Sequence, residues 1–204
     1  MVATKSRSKA AARRTSGRPR DPNVEQRLLE VTLQHLAREG YSRMSVDGIA
    51  EQAGVGKPTI YRRWKGKADL ATAALGLLQV AEPDVDTGST VGDLTGILVN
   101  FRRSLLRPNG LSLIGTVLAE EHHTPELLEL FRQRIVAPRR QMIRTVLERA
   151  RVKRELGPRA DIETAVNMLI GAFYAHYLAS PRIGVDYPAQ LVAMVWTGIS
   201  RHRG

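Results

Sequence analysis

The sequence predicts an all-α chain, and three observations predict it. Apolar residues recur at i, i+3, i+4 and i+7, and no stretch alternates with a strand's period of two. The periodic segments open on capping or proline signals and close on glycine. Aromatics make up only 5% of the 204 residues, too few for an all-β sandwich, whereas 43% hydrophobic residues suffice for a core. The architecture expected is a three-helix N-terminal module with a helix-turn-helix, followed by a larger helical domain.

The elements follow in order. Residues 1–20 are rich in Arg, Lys, Ser and Ala and contain no acid, so this arm lacks the apolar surface to fold alone. Order begins at Asp21-Pro22, an N-cap followed by a proline suited to the first helical turn. This first helix places Val24, Leu28, Val31 and Leu36 near one face, and Gly40 should end it in a left-handed cap. Ser45 caps a second helix whose Val46, Ile49, Ala50 and Ala53 share a face, stopped by Gly54. Lys57-Pro58 opens a third helix reaching about Trp64, and Lys67 a fourth reaching about Val80. Residues 82–90 form a Pro/Asp/Gly linker. Further helices are expected over 91–106, 111–122, 124–154 (kinked at Pro138), 161–178 and 188–201.

Charge narrows the function. The formal net charge is +11, and the first seventy residues carry fifteen Lys and Arg against seven Asp and Glu. Such a field seeks polyanions. With no cysteine, disulfides, thiolate catalysis and Cys-ligated zinc are excluded. No Gly-rich phosphate loop or G-x-S-x-G elbow is present, so no enzyme and no cofactor are expected. Glu120-Glu121-His122-His123 has no metal-binding spacing and reads as a solvated helix end. Residues 164–181 lack charge but carry Asn167, His176, Gly171 and Ser180, which fits a buried helix better than a membrane span. A cytoplasmic protein without membrane contact is expected.

Two short helices joined by a glycine turn, the second one basic, describe a helix-turn-helix. At about 100° per residue, Ile60 and Trp64 share the core side while Pro58, Thr59 and Arg62 face away, flanked by Tyr61 and Arg63. Taken alone, the cations from Lys57 to Lys67 would be a solvated face. Turn spacing, amphipathicity, capping and the basic arm together point to DNA.

The stretch from Ser45 through Leu70, preceded by Gly40-Tyr41, resembles the DNA-binding signature of the TetR family of bacterial transcriptional regulators. The resemblance covers about residues 22–70. It departs at Gly56, where Ser or Thr is frequent, at Gly66, where Ser or Asn often caps, and at Trp64, which replaces the usual Phe. The resemblance implies that Ser45, Tyr61 and Lys67 meet DNA phosphates and that Lys57, Pro58, Thr59 and Arg62 lie nearest base edges, with Arg63 beside them. Arg suits guanine and Thr a thymine methyl. In the arm, Gly17-Arg18-Pro19-Arg20 resembles an AT-hook core, so Arg18 and Arg20 are minor-groove candidates; a non-specific basic tail is the alternative.

The organisation expected is therefore an arm over 1–20, a helix-turn-helix DNA-binding domain over 21–70, and a helical ligand-sensing and dimerisation domain over 71–204. Residues 164–178 are apolar nearly all round, which calls for burial on every side. A four-helix bundle with a second copy, the arrangement the family implies, would cover Val166, Leu169, Phe173, Tyr177 and Val195; two internal helices of a monomer are the alternative. A pocket lined by Phe101, Leu105, Leu118, Met142, Leu169 and Trp196 would take an apolar or aromatic ligand, since no buried charge is evident there. The function expected is a homodimeric repressor on a palindromic double-stranded operator, released by a small-molecule effector. The rival is a ligand-independent, chromatin-like architectural DNA binder.

Overall fold

The computed structural model describes residues 22–79, 86–180 and 182–201, and these are helical without strands. The order is α1 (Pro22–Arg43), α2 (Val46–Gln52), α3 (Lys57–Tyr61), α4 (Lys67–Gly76), α5 (Thr90–Leu105), α6 (Gly110–Ala119) and α7 (Pro125–Phe131). A π turn (Arg132–Val136), α8 (Ala137–Val152), α9 (Ile162–Ala179) and α10 (Tyr187–Ile199) complete it. None of the described helices is long and apolar enough to cross a membrane. The arm, including Arg18 and Arg20, lies outside the described residues, as does Val80.

Side-chain caps fix three of the helix starts. The side chains of Ser45, Ser89 and Asp161 accept from the backbone N–H three residues on, at 3.4, 3.3 and 2.6 Å. Gly40 breaks α1, but with φ 75° and ψ 171° it is extended rather than left-handed helical. That region is almost closed to side-chain-bearing residues. One further turn, Tyr41–Arg43, follows it.

Two apolar cores form. The first gathers α1–α4 with Leu113 and Val117 of α6 and Leu127, Leu128 and Phe131 of α7. The second joins α5, α8, α9 and α10 around Leu98, Phe101, Leu147, Leu169 and Phe173. Ile114 of α6 packs against both. The long helix expected over 124–154 is interrupted by the π turn, which ends just before Pro138. Proline has no N–H to continue the ladder, and the wider turn re-routes the hydrogen bonds ahead of it.

The solvated helix end expected at Glu120–His123 is overturned at its first residue. Glu120 is buried, accepting from the Ser42 hydroxyl and, at 3.3 Å, from Thr124 Oγ1. It ties the end of α6 to the end of α1.

Candidate nucleic-acid interface

The turn between α2 and α3 is built from the backbone up. Gly54 takes φ 65°, its N–H bonds to Glu51 O at 3.0 Å, and the Val55 N–H bonds to Ala50 O at 2.9 Å. This is a Schellman closure, which needs a residue tolerant of positive φ immediately after the C-cap. It turns the chain so that Lys57-Pro58 can open α3 at once. Ile60 and Trp64 are buried against α1, α2 and α4, as their spacing predicts. His35 of α1 lies 3.0 Å from Gln52 Oε1, whose amide donates to Gln34 at 3.0 Å, so α2 is also pinned to α1 by polar contacts.

One edge of this head is left open. Ser45, Lys57, Pro58 and Arg62 are exposed, Tyr61 is 55% exposed, and Thr59 is half-exposed beside them. Lys57 pairs with Asp47 across the turn. Two expected members depart from that edge. Arg63 lies off the outward face: at about 100° per residue it falls only about 60° from Ile60, and the Trp64 N–H bond to Ile60 O at 3.0 Å carries the helical geometry past Tyr61. Its side chain is 12% exposed, donates to Thr59 O at 3.1 Å and approaches Glu25 at 3.9 Å. Lys67 donates to Ser42 O at 3.1 Å and lies 4.5 Å from the centre of the Tyr41 ring. Burial lowers the Lys67 ammonium from its ordinary value against the pull of Glu120, and pushes the Tyr41 hydroxyl up to about 12, helped by Glu126 and Glu120.

Behind the head lie two adjoining hollows. An inner cavity of about 60 Å³ is lined by Leu75, Leu78, Phe101, Leu105, Ile135 and Arg139, among others. A more open groove of about 650 Å³ runs between α6, α7, α8 and α9. The two share Ile114, Phe131, Val136, Ile170 and Tyr174. Of the six ligand residues expected, Phe101, Leu105 and Leu118 line these spaces. Met142, Leu169 and Trp196 do not; they pack within the α5–α8–α9–α10 core. The expectation of no buried charge also fails, because Arg139 is 8% exposed at the cavity wall with its guanidinium 4.5 Å from the Phe101 ring.

The residues expected at a dimer interface are placed differently. Val166, Leu169, Phe173 and Val195 are buried inside the protomer's own core, so they are corrected from contacts of a second copy to internal packing; only Tyr177 of that set is exposed. The face that α9 and α10 leave open is instead formed by Met168, Gly171, Ala175 and Leu178 with Ala193, Met194, Thr197 and Gly198, and it carries no charge.

Comparison with known proteins decides the family. Residues 28–74 match the bacterial regulatory proteins of the tetR family, and residues 84–195 match the tetracyclin repressor-like C-terminal domain. The chain belongs to the TetR family. The HTH-type transcriptional regulator YdeS of Bacillus subtilis is 31% identical over 90% of this chain and 93% of its own length. The DNA-binding transcriptional repressor TetR of Mycobacteroides abscessus is 35% identical over 66% and 71%. Among solved structures, the TetR family regulator SCO0332 shares 27% identity and superimposes with a TM-score of 0.63 over 86% of this chain and 98% of its own.

Four residues with structural roles, one inside the family signature and three beyond it, are not singled out for those roles by the sequence. Asp69, Glu120, Arg134 and Arg139 are each tied to elements far away in the chain. Only Asp69 had a local signal, an acid in the first turn of a helix that lacks a side-chain N-cap.

Proposed function

We propose that this TetR-family chain is a non-enzymatic, dimeric repressor that grips an operator through the edge from Ser45 to Arg62 and releases it when a small molecule enters the hollows behind the head. The observation that carries the reading is the shared wall. Helices α6 and α7 complete the core of the DNA-reading head and also line the groove, so material in the groove meets residues that position α3.

Within this reading, residues 21–70 are the head, 71–204 the sensing and dimerising part, and 1–20 a basic arm. Tyr61, Ser45 and Lys67 hold phosphates; Lys67 must exchange its Ser42 contact to do so. Lys57, Pro58, Thr59 and Arg62 approach base edges. The effector is apolar or aromatic, with room beside Arg139 for an acidic group. A second copy covers the uncharged face of α9 and α10, where small residues allow close helix approach and no ion is desolvated. The ligand-free architectural reading leaves the hollows without a role.

The test is a reporter gene under a promoter carrying the sequence that the purified chain selects from random DNA. Expression of the chain should silence the reporter, and members of a library of apolar and aromatic acids should restore it. An unaffected reporter contradicts the repressor reading.

A further inference from the structure

A single carboxylate joins the turn behind α3 to the wall of the inner cavity. Asp69, in the first turn of α4, is 9% exposed. Its Oδ2 accepts the Lys65 backbone N–H at 2.7 Å, fixing the Lys65-Gly66 turn that follows the reading helix. Gly66 offers no side chain to cap α4; Asp69 instead reaches back to the amide that precedes it and holds the turn. Its Oδ1 accepts from Nη1 of Arg134 at 2.5 Å, and the same nitrogen lies 3.3 Å from Thr72 Oγ1. Burial alone would raise the Asp69 carboxyl; the Lys65 N–H and the Arg134 guanidinium outweigh it and hold the group below its ordinary value.

Arg134 belongs to the π turn, and the next two residues of that turn, Ile135 and Val136, line the cavity. A π turn is a rare, poorly stabilised register with an α-helical alternative close by. A return of this turn to the α-helical register would be the second arrangement that coupling between sites requires. A change of register at Ile135 and Val136 carries Arg134 with it, and a charge-assisted hydrogen bond passes that displacement on more stiffly than apolar contact does.

We infer that Asp69 and Arg134 are positioning residues: their ion pair transmits the state of the cavity wall to the angle of α3, so that the π turn sets whether the reading helix is held for DNA. This deepens the regulator reading above and rests on it. Neither side chain needs to touch DNA or effector.

The experiment uses the full chain and DNA selected from a random pool, and needs no effector. Binding linkage is reciprocal, so operator DNA must be felt at the π turn. Amide hydrogen exchange over residues 131–140 should slow about fivefold or more when operator binds. Arg134→Gln should abolish that slowing while operator still protects residues 45–63, and Arg134→Lys should keep part of it. Arg134→Gln and Asp69→Asn should each weaken operator binding about tenfold, and the double variant should be no weaker than the weaker single one. Should Asp69→Asn disrupt the turn, Arg134→Gln still decides, because it leaves the Asp69–Lys65 bond in place. Operator binding with exchange at the π turn unchanged, or fully additive losses, overturns the coupling alone. A chain that selects no sequence overturns the regulator reading and the coupling together.

Discussion

Arg62 and Arg63 are neighbours with opposite surroundings. Arg62 is exposed on the open edge, whereas Arg63 is folded back onto Thr59 and toward Glu25. Arg62→Ala should therefore cost about 1–3 kcal/mol on the selected operator and blunt its sequence preference. Arg63→Ala should lower the melting temperature and weaken operator and random DNA alike. Fluorescence anisotropy on both DNAs beside a thermal melt separates the two. The inward pair Ile60 and Trp64 was legible from helical spacing. Arg63 reads as flanking the outward face, although the same spacing puts it only about 60° from Ile60; its contacts with Thr59 O and Glu25 have no local signal. A second residue-scale prediction concerns acid. Asp93 is buried; burial would raise its carboxyl, but hydrogen bonds from Thr87 and the Arg149 guanidinium at 2.9 Å hold it low, as Asp69 is held low. A depressed folded-state value adds stability that is fully present above the unfolded-state value near 3.8 and disappears as pH falls through the folded one. Denaturant titrations should thus give stability falling below about pH 4, with the fall reduced in Asp93→Asn.

Helix ends show which parts of an element a sequence can specify. Ser45 and Asp161 were readable as caps because cap and capped amide lie three residues apart; Ser89 caps in the same way but sits in the segment read as a linker. The π turn has no comparable local signature beyond Pro138, and its Ile135 and Val136 line the cavity. The end of α8 can be tested directly. Arg154 occupies φ 57° where a closing turn usually has glycine, with the Glu155 N–H bonded to Ala150 O at 2.9 Å. Arg154→Gly should stabilise the chain by about 1 kcal/mol, read as a raised melting temperature. Helix α9 is limited in another way. It is apolar nearly all round from residue 164, so its pattern could not say which side meets its own core. With Leu169 wholly buried and Met168 half-exposed, Leu169→Ala should cost about 2–5 kcal/mol of folding stability. Met168→Lys combined with Met194→Lys should leave the melt of the protomer nearly unchanged and shift sedimentation from dimer to monomer. A dimer that survives both lysines would place the interface elsewhere.

At the scale of the whole molecule, charge and architecture act together. The net charge of +11 is concentrated toward the N-terminus, where residues 1–20 contain seven cations and no acid. Removing residues 1–19 should make the log–log salt dependence of operator binding shallower by roughly 0.9 for each phosphate that the arm no longer neutralises. An unchanged slope would mean that the arm does not touch the backbone. The helical class and the helix-turn-helix were legible because caps, turns and amphipathic spacing are local. The links between head and hollows were not, because Glu120–Ser42 and Arg134–Asp69 join residues 78 and 65 positions apart. The central claim, that two copies of this head read DNA together, predicts a geometry. Two reading helices entering successive major grooves must lie about 34–36 Å apart, so half-sites repeat after about one duplex turn. The measurement is selection of random double-stranded DNA by the purified full chain at physiological salt, followed by sequencing of what is retained. The expected result is one inverted repeat with a fixed half-site spacing of about one turn. Retention of DNA without a symmetric sequence, or enriched only for A·T content, would contradict it.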